Sequence, residues 1–176
     1  MFEIKIVQYF NRIGSRKFDN FLALINSIRF LAIFWVAIII IAIIKHPEIT
    51  NSFLVAVGIV TILHFGITEG IIKHLLLYII PKRKRPYVAY PDLIKSIGKK
   101  FSDSSFPSSH MASTVAMLFV VIAFYPSLLL LSVIFVLIMA FSRLHSGMHY
   151  PTDIIAGILL GLVYGRTALY ALRFLF

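Results

Sequence analysis

Residues 142–153 read SRLHSGMHYPTD, a polar dozen set between an apolar run over 127–141 and another over 154–165. Ionisable groups at the ends of membrane-grade helices are expensive unless they are paired or wet, so such a cluster is a functional hypothesis by default. Pro151 suits the first turn of a helix, where a missing amide hydrogen matters least. His149 and Asp153 stand four apart, which puts them on one face of a continuous helix. Arg143 lies six residues before His149, across a tight turn containing Gly147.

The surroundings of this dozen say what its solvent is. The chain has 176 residues, is 60% hydrophobic and has a mean hydropathy of +0.93. A soluble domain of this size has too little interior for that much apolar surface, which points to lipid. The net charge of +10 is read as membrane topology and attraction to anionic headgroups rather than nucleic-acid binding. Cysteine is absent, so there is no disulfide framework, thiolate metal site or cysteine nucleophile. With no linker, low-complexity segment or internal repeat, one domain over 1–176 is expected. No cleavable signal peptide is expected, because no small-residue cleavage site follows the first long apolar run.

The pattern predicts an all-α membrane bundle of five spanning helices, or six if the second is split near Gly66. Residues 1–16 carry Phe2, Ile6, Tyr9, Phe10 and Ile13 at helical spacing with Lys5, Arg12 and Arg16 on other faces, an amphipathic helix lying in the interface. The first span is read from Phe21 to Ile44, capped by Asp19 or Asn20. The second runs from Ser52 to about Leu77, the third from Ser108 or Ser109 to before Pro126, the fourth from Ser127 to about Arg143 and the fifth from Pro151 onward. A basic loop fills 81–107. Every polar element then falls at one membrane face. The third helix has about 16 residues, roughly 24 Å, short of a ~30 Å hydrocarbon core, so the cluster is expected at headgroup depth. Gly157, Gly161 and Gly165 form a stripe that lets another helix approach closely, read as packing inside the bundle.

Phosphoryl transfer needs charge stabilisation on the equatorial oxygens, an in-line nucleophile and a proton for the leaving oxygen. Arg143, Arg85 and Lys73 can supply the first, His149 the second and His110 the third. A carboxylate on one imidazole nitrogen fixes the tautomer and frees the other nitrogen as nucleophile. Pro107-Ser108-Ser109-His110 offers a helix start with two hydroxyls, suited to a phosphate. Without an Asp/Glu-rich cluster, a metal-independent mechanism with no cofactor is expected. Glu69 and Lys73, four apart, are read as an intrahelical ion pair, and the sharper alternative has Glu69 holding Lys73 until phosphate displaces it. His145 is read as hydrated or reaching a headgroup.

Ser142-Arg143, five residues, His149, three residues and Asp153 resemble the third signature of the type 2 phosphatidic acid phosphatase (PAP2) family. Pro107-Ser108-Ser109-His110 is similar to its second signature, usually Pro-Ser-Gly-His, with serine in place of glycine. The first signature, lysine, six residues, then Arg-Pro, is met at Arg85-Pro86, but Tyr78 occupies the lysine position. Lys73 is the favoured substitute, with Lys82 or Lys84 as alternatives. The resemblance implies a catalytic core over 52–165, a phosphohistidine at His149, Asp153 orienting it and His110 protonating the departing oxygen. It also implies a phosphate cradle of Lys73, Arg85, Ser108, Ser109 and Arg143.

By the same resemblance the substrate is a lipid phosphomonoester or pyrophosphate, with lipid A 1-phosphate expected first and phosphatidylglycerophosphate or undecaprenyl pyrophosphate alongside. The alternative is a non-enzymatic transporter or lipid-binding protein, which would more often place charges near mid-membrane. The partners expected are the bilayer and the lipid, not nucleic acid, and the sequence leaves the oligomeric state open. The site side carries 14 of 17 Lys and Arg, which by the positive-inside rule favours the cytoplasm. Because several of these cations serve phosphate, and because the chain resembles bacterial enzymes of the outer face, the expectation is the periplasmic face of the inner membrane.

Overall fold

In the computed structural model, residues 2–75 and 81–175 are described. Their order is α1 (Phe2–Asn11), α2 (Arg16–Ile25), α3 (Ile28–Lys45), α4 (Thr50–Leu63), a wider continuation of α4 over His64–Leu75, α5 (Pro86–Ala89), α6 (Ser109–Phe124), α7 (Leu129–His145) and α8 (Pro151–Leu175). The described residues are all-helical with no strand. Among the described residues four helices are long and apolar enough to cross a membrane: Ile28–Lys45, Pro47–Leu75, Pro126–His145 and Pro151–Leu175. The 16-residue α6 runs among them as a shorter apolar helix. The second span, Pro47–Leu75, continues through Gly66 as one helix.

The N-terminal third departs from the sequence reading. The first span begins at Ile28, not Phe21, because Asn26 and Ser27 interrupt the apolar run and the Ser27 hydroxyl accepts the Phe30 N–H at 3.0 Å. That is an N-cap, and neither Asp19 nor Asn20 caps the span. Residues 16–25 form a separate helix, α2. The segment read as 1–16 is a ten-residue helix, α1, whose Val7 is fully buried against Tyr87, Ile94, Met148 and Tyr150. It therefore packs on the loop carrying His149 and does not merely rest on a surface. His145, expected to be hydrated, is fully buried. Its Nδ1 donates to the Phe10 carbonyl at 2.9 Å and its Nε2 faces Asp19 Oδ1 at 2.8 Å, pinning α1 and α2 to the end of α7.

The centre is α6 against α8, which run in the same direction because α7 returns the chain between them. Gly157 and Gly161 make this approach possible. A Cβ at Gly157 would lie 2.6 Å from the Ser108 carbonyl oxygen, and one at Gly161 would lie 2.7 Å from that of Ala112. The small-residue stripe packs inside the bundle. α4 closes the core with Phe53, Ala56, Val57 and Val60 against α6 and α8.

From His64 the second span winds with i→i+5 bonding. At 3.6 residues per turn, positions nine apart face opposite ways. The wider winding turns His64, Thr68 and Lys73 all inward, where all three are buried. This is how a lysine near the end of an apolar helix comes to point into the protein.

Candidate active site

The start of α8 fixes His149. The Asp153 carboxylate accepts the Tyr150 N–H at 2.8 Å while the Asp153 N–H donates to the Tyr150 carbonyl at 3.0 Å, a reciprocal cap. Gly147 turns the chain at φ 67° just before it, and a Cβ there would meet Ile94 at 2.5 Å. His149 is 1% exposed. Its Nδ1 lies 2.8 Å from the Ser105 carbonyl oxygen, which can only accept, so Nδ1 carries the proton. Nε2 is then a lone pair, and it faces Arg85 NH1 at 3.3 Å and Arg143 NH2 at 3.2 Å. Asp153 Oδ2 stands 3.7 Å from Nδ1, beyond hydrogen-bond length. The tautomer is therefore set by Ser105, with Asp153 acting through the cap and through its charge. Burial first, then Arg143, Arg85 and Lys73, push the His149 pKa well below the ordinary imidazole value; the Ser105 contact opposes this weakly. A neutral, nucleophilic ring is the consequence.

The cations arrive from separate elements. Lys73, 4% exposed, reaches Asp103 Oδ2 at 2.9 Å, with Glu69 farther off at 3.7 Å. Arg85, the residue before α5, donates to Asp103 Oδ1 at 2.6 Å and to the Met148 carbonyl at 3.2 Å. Arg143 donates to Asn26 Oδ1 at 2.9 Å. Asp103 thus bridges two members of the expected cradle. Burial tends to raise its pKa, but hydrogen bonds and charge from Lys73 and Arg85 outweigh that and lower it to about 2. Arg85 Nε, Arg143 Nε and Ser109 Oγ are buried without partners among the described residues.

A cavity of about 480 Å³ joins these groups. Its polar end is lined by Lys73, Arg85, Asp103, Ser109, His110, Arg143 and His149. Its apolar length runs between α3 and α4, past Leu31, Trp35, Ile39, Val57 and Val60. His110 Nε2 donates to the Asn26 carbonyl at 3.0 Å.

Of the residues singled out in the sequence, His110, His149, Lys73, Arg85, Ser109 and Arg143 meet in this cavity, with Asp153 behind His149. Ser108 does not line it. The Ser108 N–H donates to the Asp153 carbonyl at 3.0 Å, and its hydroxyl is buried without a partner among the described residues. Lys82 and Lys84 are exposed and do not line the cavity, whereas Lys73 does. Tyr78 lies outside the described residues. Sequence reasoning missed Asp103, Asn26 and Ser105. Only the polar pair Asn26-Ser27 inside an apolar run offered a signal. Among the described residues no three His, Asp or Glu converge to hold a metal ion.

Apolar helices long enough to span a membrane here surround a buried cavity lined by cations and histidines. A family model, the PAP2 superfamily, matches residues 50–175, and the chain belongs to that superfamily. It is an integral membrane protein. Undecaprenyl-diphosphatase BcrC of Bacillus subtilis (strain 168) is 28% identical over 106 residues, 59% of this chain and 54% of that one. Bacitracin transport permease protein BcrC of Bacillus licheniformis is 33% identical over 79 residues, 45% of this chain and 38% of that one. The matched stretches thus span about half the length of these relatives or less. The crystal structure of Aquifex aeolicus LpxE superposes with a TM-score of 0.71 at 18% identity, covering 97% of this chain and 96% of that one. At that identity the likeness is one of fold.

Proposed function

We propose that the chain is a membrane lipid phosphatase that hydrolyses a lipid phosphomonoester or diphosphate through a phosphohistidine. One observation carries the reading: His149 Nε2 presents its lone pair between Arg85 and Arg143, 3.3 and 3.2 Å away, at the polar end of an otherwise apolar cavity. In the first step Nε2 attacks phosphorus, the bond to the lipid-side oxygen breaks, and His110 gives that oxygen a proton. Because His110 Nε2–H is held by the Asn26 carbonyl, His110 enters the step as an imidazolium, its second proton on Nδ1 brought in with the phosphate monoanion, and Nδ1–H is the proton transferred. Water then cleaves the phosphorus–nitrogen bond, its proton passing to His110 Nδ1, which releases phosphate and restores both imidazoles. Lys73, Arg85, Arg143 and Ser109 stabilise the equatorial oxygens, the work a metal ion does elsewhere. Asp153 and Ser105 keep Nδ1 protonated.

The slot between α3 and α4 suits one linear chain. Together with the likeness to an undecaprenyl-diphosphatase, it favours a polyprenyl diphosphate, ahead of lipid A 1-phosphate and phosphatidylglycerophosphate. The site faces the periplasm of a bacterial inner membrane in this reading.

The test is phosphate release from undecaprenyl diphosphate, lipid A and phosphatidylglycerophosphate in detergent with EDTA present. Wild type releases phosphate and forms an acid-labile phosphoprotein, while His149→Ala does neither. Release that persists in His149→Ala refutes the nucleophile. Binding without release from any of the three refutes the enzyme and favours a transporter or lipid-binding protein. Because the chain has no cysteine, a single Lys99→Cys labelled by an impermeant maleimide in intact cells reads out the orientation.

A further inference from the structure

Two residues outside the cradle grip the segment that follows His149. Arg83 NH1 donates to Asp153 Oδ1 and to Thr152 Oγ1, both at 2.7 Å. Its NH2 donates to Glu3 Oε2 at 2.7 Å, and its guanidinium lies 4.0 Å from the centre of the Tyr150 ring. Glu3, reaching across from α1, uses its other oxygen to accept the Thr152 N–H at 3.1 Å and the Thr152 hydroxyl at 2.7 Å. One arginine and one glutamate thereby hold Tyr150, Thr152 and Asp153 together.

The backbone of the same arginine reaches the other side of the ring. The Ser105 N–H donates to the Arg83 carbonyl at 3.0 Å, and the Arg83 N–H donates to Ser104 Oγ at 3.3 Å. Ser105 supplies the carbonyl that receives His149 Nδ1–H. Both groups near Nδ1, the Ser105 carbonyl and the Asp153 carboxylate, therefore depend on residue 83.

We infer that Arg83 and Glu3 are positioning residues: they hold Ser105 and Asp153 around the imidazole so that Nε2 is presented to the phosphate cradle. α1 is then a working part of the site. Glu3 lies outside residues 50–175, which match the family model, and neither Glu3 nor Arg83 touches the cavity. A fork fits this role where a point charge does not, because three acceptors on two elements must be met at once. The proposal rests on the phosphatase reading for its kinetic readout but not for its spectroscopic one.

The electrostatic signature follows from the groups that face His149. These are Lys73 of the wider continuation of α4, Arg85 before α5, Asp103 and the Ser105 carbonyl of the long loop, His110 of α6, Arg143 of α7 and Asp153 of α8. Arg83 shares the charge of Asp153. Its loss exposes the ring to a full carboxylate and moves the imidazole midpoint upward by about one pH unit, the size of one charge a few ångströms away. Loss of the Glu3 anion has the opposite sign.

The experiment compares wild type, Arg83→Gln, Arg83→Lys and Glu3→Gln as full-length protein in detergent. Dioctanoyl phosphatidic acid is the kinetic probe, and carbon-13 histidine NMR, assigned by His149→Ala, is the spectroscopic one. Arg83→Gln is expected to lose about tenfold in kcat with KM within twofold and to show the raised midpoint. Arg83→Lys recovers the midpoint but not kcat. Glu3→Gln loses about threefold in kcat and leaves the midpoint equal or lower. A kcat within twofold for Arg83→Gln overturns the proposal, and so does a loss of activity with the midpoint unmoved, which marks a folding clasp only. If wild type releases no phosphate from this probe, the midpoints alone decide the proposal, and the failure falls on the phosphatase reading.

Discussion

Replacing Asp103 by asparagine is expected to tighten anion binding while weakening the protein itself. The carboxylate occupies Lys73 and Arg85 at 2.9 and 2.6 Å, so an arriving phosphate must take both cations from it. The fall of its pKa from 3.8 to about 2 measures how strongly they hold it. That difference corresponds to at most about 2.4 kcal/mol. With the side chain 36% exposed, solvent screening brings the figure to about 1–1.5 kcal/mol. Asparagine keeps the shape and removes the charge, so orthophosphate or orthovanadate is expected to bind about five- to tenfold more tightly by calorimetry. Without the anion, the same variant leaves Lys73 and Arg85 facing each other and melts at lower temperature. The linkage sign agrees. A carboxyl depressed in the folded state stabilises above its ordinary value and loses that contribution as pH falls from about 4 to about 2. An unchanged or weaker phosphate affinity in Asp103→Asn would refute the argument and make Asp103 a partner of the substrate instead of its competitor.

Three further outcomes follow from the same geometry. Asn26→Ala strands the buried Arg143 NH1 donor, at about 1–3 kcal/mol, while the Ser142 hydroxyl keeps the Met139 carbonyl; a lower Tm and at least tenfold less phosphate release are expected. Gly161→Val drives a side chain into the Ala112 carbonyl and Val115, both 2.7 Å from the new Cβ. Overpacking of about 1–3 kcal/mol should appear in the melting curve, and a normal Tm would show that α6 can move aside. Because the folded His149 pKa lies well below 6.5, the unfolded chain binds that proton more readily. Its contribution to stability is full above about pH 6.5 and shrinks as pH falls, a slope that His149→Gln should reduce in denaturant titrations.

Hydropathy made the helices legible, because lipid demands long apolar runs and punishes every interruption. The spacing of Ser142, Arg143, His149 and Asp153 made half the site legible, because a short turn and one helix start keep those residues near in sequence and space. What stayed hidden needed tertiary contacts. Asn26 looked like a blemish in an apolar run, yet it ends α2 and anchors both Arg143 and His110. Asp103 sat among other polar loop residues with nothing local to mark it. The start of the first span was misplaced by seven residues, from Phe21 to Ile28, since hydropathy averages over a serine cap. The carboxylate-on-imidazole contact expected from a four-residue interval came out at 3.7 Å, with a loop carbonyl in its place.

The broad winding that follows Gly58 and begins at His64 acts like a gear with one tooth too many. Deleting any single residue between His64 and Lys73 would let that stretch relax into ordinary pitch and swing the ammonium group roughly a quarter-turn toward the acyl chains. Substitutions there would be forgiven far more readily than changes in length. The reach of this fixed charge is thus encoded as a count of residues, not as a preference for any of them.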